Sequence, residues 1–153
     1  MHLTLVLFLV YRQQCCTIST EHTGERAVAG VTAGLIELGE TVTWRAKHLG
    51  VWQHLTSKIT EYGRPYFFVD EMVSGAFKQF RHEHHFKQVD DATLMLDVFD
   101  YTSPLGMLGT LADKVFLKKY MTHLLTERDS VIKQYAESGQ WRNVVKIDRI
   151  VRG

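Results

Sequence analysis

Residues 66–101 constrain what this chain can fold into more than any other stretch. After Tyr66 they read FFVDEM, a turn at Ser74 and Gly75, FKQFRHEHHF, a connection through Val89, Asp90 and Asp91, then TLMLDVFDY. Polar and apolar side chains alternate through each segment, the period of two that marks a strand with unlike faces. Segments of this kind joined by short turns pair as antiparallel neighbours. A hairpin centred on Ser74 and Gly75 puts Asp70 opposite Gln79 or Phe80. A connection through 87–92 puts His82 opposite Asp97 and His84 opposite Met95. One face then carries Asp70, Met72, Phe80, His82, His84, Phe86, Met95, Asp97, Phe99 and Tyr101. It holds more of the large apolar residues, so it is assigned to the interior. Gln79, Arg81, Glu83, His85 and Lys87 point the other way, to solvent.

Strands and turns continue upstream. Residues 40–48 alternate with Val42, Trp44, Ala46 and His48 on one face, and residues 51–62 alternate with Val51, Leu55 and Ile59 together. Leu49 and Gly50 turn between them, and Gly63, Arg64 and Pro65 make the next turn. Residues 27–30 read as a brief strand, 31–39 as a glycine-punctuated loop, 12–26 as a loop or short helical turn, and 3–11 as a buried first strand. Together these form an antiparallel meander. After Tyr101 the pattern changes. Pro104 closes the sheet, and from about Gly106 the apolar period becomes 3.6. Leu117, Met121, Leu124, Leu125, Val131, Ile132 and Tyr135 share a helical face, with a break or bend near 113–117 and a stop at Ser138 and Gly139. The fold class is α+β, a curved antiparallel sheet wrapped around a long C-terminal helix. Residues 1–138 form a single domain and 139–153 a C-terminal tail that intersperses Arg142, Lys146, Arg149 and Arg152 with aliphatic residues.

Bulk properties exclude several function classes. The 153 residues suit one domain with a real core, and a net charge of +1 leaves no basic footprint for nucleic acid. The apolar run 3–10 is too short to span a membrane, has no Lys or Arg ahead of it, and is followed by no small-residue cleavage site. The only cysteines, Cys15 and Cys16, are adjacent, which excludes a disulfide framework and zinc spacing and makes the reducing cytoplasm the expected location. There is no G-x-S-x-G, P-loop or dinucleotide fingerprint, so no cofactor is expected. Oligomeric state is not legible.

Residues 17–138 resemble the START/polyketide-cyclase-like (SRPBCC) ligand-binding superfamily, most closely its largely uncharacterised bacterial branch. The resemblance is carried by HTGERAVAGVTAGLIELGETVTWRAKHLG (22–50), FVDEMVSGAFKQFRHEHHF (68–86) and DVFDYTSPLGMLG (97–109). The pattern D-x-M-x-x-G-x-F-x-x-F-x-H-x-H-x-F is more specific than any residue within it. The resemblance implies the helix-grip fold, a deep cavity under the C-terminal helix, and binding of lipids or other hydrophobic molecules. In some branches it implies cyclisation or dehydration of polyketides. Residues 1–16 do not match, and segment 11–26 is too short for the two helices that follow the family's first strand.

The partner expected is therefore a small hydrophobic molecule. Its wall would comprise Trp44, Asp70, Met72, Phe80, His82, His84, Met95, Asp97, Phe99, Tyr101, Met121 and Leu124. Trp52, Phe67 and Phe77 are further aromatics that could stack on a flat ligand, though core packing is their commoner role. Glu21, His22 and Glu25 lie in a polar loop that could rim the entrance, with a solvated role preferred. A cyclase- or dehydratase-type enzyme is the alternative, with His82 and Asp97 as the acid–base pair and Asp70 or His84 orienting substrate. A structural network that fixes strand register is preferred over that catalytic role. His82 and His84 at i, i+2 with Asp97 could also ligate a metal. Such histidine pairs are common without one, and no metal is expected.

Overall fold

A computed structural model of the chain describes residues 24–32, 34–48, 50–103 and 116–139. The expectations for the first strand, Glu21 and His22, the start of the helix and the basic tail fall outside these residues. Six strands follow in order: β1 (Arg26–Gly30), β2 (Thr41–His48), β3 (Val51–Gly63), β4 (Phe67–Ser74), β5 (Gln79–Val89) and β6 (Ala92–Thr102). Each pairs antiparallel with the next, giving one sheet in sequential order, and helix α1 (Lys118–Ser138) follows.

The strands form where alternation predicts them. Along β5 the residues Phe80, His82, His84 and Phe86 are all buried while those between them are partly exposed. Pairing irregularities between Ala27 and Ala29, Thr56 and Ser57, and Ile59 and Glu61 interrupt the ladders. Such bulges strengthen local twist and let a sheet curve around a helix. At the end of β1, Gly30 has φ +72, and a β-carbon there would press on the Thr41 carbonyl. Gly139, at φ 75, ends α1 in the left-handed conformation that glycine adopts without steric cost.

Register departs from the expectation at both hairpins. The β4–β5 loop takes residues 75–78, longer than a turn centred on Ser74 and Gly75, so Asp70 pairs with His82. The β5–β6 turn consists of Asp90 and Asp91 alone, with Val89 opposite Ala92 and Asp90 at φ 50. Aspartate tolerates that region better than most residues. The turn centre sits one residue later than expected, which moves every β6 partner by two: His84 faces Asp97, and His82 faces Phe99. His82 opposite Asp97 and His84 opposite Met95 are thereby corrected. The inward and outward sets survive, because a shift of two preserves alternation.

The core lies between the concave sheet face and the second half of α1. Ile132 and Ala136 pack with Ile36, Val42, Ile59, Phe68 and Phe86. Each large side chain so buried contributes about 1.5–3 kcal/mol. The first half of α1 does not close on the sheet in this way, and a cavity lies beneath it. Among the described residues no helix is long and apolar enough to cross a membrane.

Candidate functional site

The cavity has a volume of about 440 Å³. Its sheet wall includes Trp44, Leu55, Ile59, Phe68, Phe80 and Phe99, and α1 contributes Leu117, Tyr120, Met121, Leu124, Leu125 and Arg128. Eight of the expected wall residues are there: Trp44, Asp70, Phe80, His82, His84, Phe99, Met121 and Leu124. Four are placed elsewhere. Met95 packs on the buried core, Tyr101 makes tilted ring contacts with Phe77 and Phe99, Met72 lies by Gly75, and Asp97 stands behind the histidines. Phe77 does reach the wall, whereas Trp52 is exposed under the Arg45 guanidinium and Phe67 stacks on His85.

The polar floor is built on β4, β5 and β6. Pairing sets Asp70 beside His82 and Asp97 beside His84, and the diagonal brings Asp70 to His84 as well. His84 is 0% exposed. Its Nδ1 lies 2.8 Å from Asp97 Oδ1 and its Nε2 lies 2.9 Å from Asp70 Oδ1. Phe68 covers the ring at 4.4 Å between centroids, and His82 lies 3.9 Å away on the same measure. An imidazole donates from both nitrogens only as imidazolium. Burial opposes that charge, but the bonds to Asp70 and Asp97 outweigh it and raise the His84 pKa. Burial also opposes ionisation of the two carboxyls. For Asp70 it is outweighed by the bond to His84 and the nearby cationic groups, and for Asp97 by interactions with both histidines, so both pKa values are lowered.

His82 has a different environment. It is 3% exposed, its Nδ1 is 3.9 Å from Asp70 Oδ1, and its Nε2 is 3.6 Å from Asp97 Oδ2. Both separations exceed a hydrogen bond. Burial, and then the neighbouring His84 charge, push its pKa down to about 4, so the ring is neutral near pH 7. The expected acid–base pair is thus rearranged: Asp97 bonds His84 and only approaches His82.

Two charged residues of the site come from the helix and were not anticipated. Arg128 lines the cavity and acts on Asp70, while Asp129 faces Asp97. Burial first, and the charge and hydrogen bonding of Asp97 next, push Asp129 up to about 7. Their sequence signal is position: Arg128 falls four residues from both Leu124 and Ile132 on the apolar face, where a charge is out of place.

A second polar group lies at the far end of the cavity. Glu25, His48 and Tyr120 all line it, with the Tyr120 hydroxyl 2.7 Å from His48 Nδ1 and Glu25 4.0 Å from His48 Nε2. His48 pairs with Val51 and Asp70 with Ile59, so roughly 25 Å of β3 separates the two polar groups along the strand. The wall in the interval is mostly apolar, though Gln53, His54 and Ser57 also line it. The solvated role preferred for Glu25 is corrected, since the curve of the sheet brings it to the cavity.

By sequence, no protein-family model and no curated protein matches the chain. Solved structures match by shape. TTHA0849 from Thermus thermophilus gives a TM-score of 0.68 at 14% identity, over 90% of this chain and 91% of that one. Ara h 8.0201 gives 0.60 at 11% identity, covering 88% and 90% respectively. Major latex-like protein 151 from Panax ginseng gives 0.58 at 16%, covering 84% of each chain. These likenesses show the helix-grip fold. The latter two are Bet v 1-like proteins of the START/SRPBCC superfamily, the superfamily that the sequence resembles.

Proposed function

We propose that the protein binds a small hydrophobic molecule between the sheet and the first half of α1, with no catalysis established. The observation that carries this reading is the cavity itself: about 440 Å³, walled by Trp44, Phe68, Phe80, Phe99, Met121 and Leu124. Ligand sites of this kind are concave, mostly apolar and furnished with few polar groups. The resemblance of the sequence to START-like ligand binders supports the same reading. The polar groups at both ends suit a ligand whose apolar body carries a hydrogen-bonding group.

The acid–base alternative draws less support, because Asp97 is committed to His84 rather than to His82. An environment-sensitive apolar dye, titrated into untagged protein and competed with long-chain fatty acids, tests the proposal. Wild type should bind one dye with a blue-shifted emission, and Leu124→Trp, which fills the cavity, should weaken binding at least tenfold. Dye binding that is absent in wild type, or unchanged in a folded Leu124→Trp protein, removes the proposal.

A further inference from the structure

We infer that Asp70, His82 and His84 form a site for a divalent transition-metal ion on the floor of the cavity. Asp70 Oδ1, a His82 nitrogen and a His84 nitrogen lie within 4.8 Å of one another. Asp70 Oδ1 is 2.9 Å from His84 Nε2 and 3.9 Å from His82 Nδ1. Around an ion with metal–ligand bonds of about 2.0–2.1 Å, ligand atoms sit roughly 3.0–3.4 Å apart. Small rotations of the His82 ring and the Asp70 carboxyl reach that arrangement. Asp70 replaces Asp97, the third ligand suggested by the sequence, because pairing places Asp70 on the cavity side and Asp97 behind the rings.

Two further observations point to an ion. The first is His82. Its imidazole is deeply buried, and neither ring nitrogen is within hydrogen-bond distance of a side-chain partner. Buried polar groups are nearly always bonded, and an exception calls for a partner of another kind. An ion at Nδ1 anchors the ring and leaves the proton on Nε2, the atom that lacks a partner, with Asp97 Oδ2 3.6 Å away. The second is the position of Asp97. One oxygen lies 2.8 Å from His84 Nδ1 and the other 3.6 Å from His82 Nε2. A single carboxylate thus spans the rear nitrogens of both rings. A carboxylate bonded to the rear nitrogen holds the N–H there and frees the opposite nitrogen for the metal; Asp97 is bonded in this way to His84 and lies 3.6 Å from the corresponding nitrogen of His82. In both rings that opposite nitrogen is the one nearer Asp70.

The donor set selects the class of ion. Two imidazoles and one carboxylate suit Zn²⁺, Fe²⁺ or Co²⁺, whereas Mg²⁺ and Ca²⁺ favour all-oxygen sites. The ligands come from two adjacent strands and occupy one side of the ion. The other side faces the cavity, to which all three belong, leaving positions for water or an oxygen atom of a bound molecule. The ion takes the place of the proton between His84 Nε2 and Asp70. Asp70, Asp97 and Asp129 set three carboxyl groups against the Arg128 guanidinium around it. None of this depends on an apolar ligand occupying the cavity.

Chelator-treated, untagged protein titrated with Co²⁺ and with Zn²⁺ tests the site. One equivalent should bind with micromolar or tighter affinity, Co²⁺ giving visible absorption bands and Zn²⁺ raising the melting temperature. Asp70→Asn and His82→Gln, each checked for folding, should weaken binding at least tenfold. His123→Gln, on the exposed helix face, and the double variant Cys15→Ser/Cys16→Ser should leave it unchanged. In wild type, Co²⁺ should shift the ring-proton NMR signals of His82 and His84, a readout that needs no variant. Absence of stoichiometric binding, loss of binding in either control, or unshifted His82 and His84 signals overturns the inference. Dye binding without metal binding defeats this site alone, and metal binding without dye binding defeats only the hydrophobic-ligand reading.

Discussion

Strand β5 carries a charged network on each of its faces, and the two are built alike. On the outer face Arg81 contacts Glu61 at 2.9 Å, Glu83 at 3.0 Å and Glu71 at 3.1 Å. On the inner face His84 contacts Asp97 at 2.8 Å and Asp70 at 2.9 Å. Both join neighbouring strands through a single cation, at nearly equal distances. They differ in surroundings, because the Arg81 side chain keeps 35% of its exposure and that of His84 keeps 1%. Water screens the first network and supplies substitutes for any lost partner. Nothing replaces a lost partner in the second. Separation alone therefore says little about what an ion pair contributes, and burial decides it.

The strongest way to break this comparison is His84→Gln. It leaves two buried carboxyls without their shared cation, and removal of one partner from a buried network costs about 3–5 kcal/mol. The urea midpoint should fall accordingly. A loss as small as that of a surface pair would mean that the inner network is not dry.

Asp129→Asn sharpens the comparison through pH. In the folded chain Asp129 titrates at about 7, against 3.8 for an ordinary aspartate. Between those values the folded state holds a proton that the unfolded state has released. Stability therefore falls as pH rises through this window, and the full penalty is present above pH 7. Asparagine removes it. The variant should be more stable than wild type above pH 7 by about 1–2 kcal/mol, after discounting for the part of the carboxyl that remains solvated. The gain should vanish near pH 4. Denaturant unfolding at a series of pH values measures both ends. The raised His84 acts in the same direction as Asp129, whereas His82, Asp70 and Asp97 act in the opposite one. His82, held down to about 4, gives stability that is present above pH 6.5 and lost as pH falls toward 4. The lowered Asp70 and Asp97 extend that acid loss.

Arg81→Ala should have the smallest effect. The change in melting temperature should lie well below that of His84→Gln and should disappear in about 1 M salt, where exposed charges are screened within a few ångströms. A large effect that persists in salt would erase the distinction between the faces.

Much of this arrangement was legible in the sequence, and what was not has a physical reason. Alternation alone placed Asp70, His82, His84 and Asp97 on the inner face, because a strand offers only two directions. Alternation could not choose the register. Pairings that differ by two residues bury the same side chains, so the hydrophobic pattern is indifferent between His82 and His84 as the partner of Asp97. The choice rests on whether the turn is centred before or after Asp90. Arg128 and Asp129 were missed for a different reason. They meet Asp70 and Asp97 only when helix and sheet dock, and no local rule encodes that encounter. The same holds for Glu25, which reaches Tyr120 and His48 only through the curvature of the sheet.

The two-residue turn at Asp90 and Asp91 has a consequence for how such a site can change over time. It is exposed and about 20 Å of strand away from His84, and no residue of the cavity wall belongs to it. Yet it determines which imidazole is held by Asp97 and which is left uncommitted beside the cavity. Drift in a solvent loop, ordinarily the most permissive part of a protein, is here a route to exchanging the roles of His82 and His84. The two could trade places while every residue that lines the pocket stays the same.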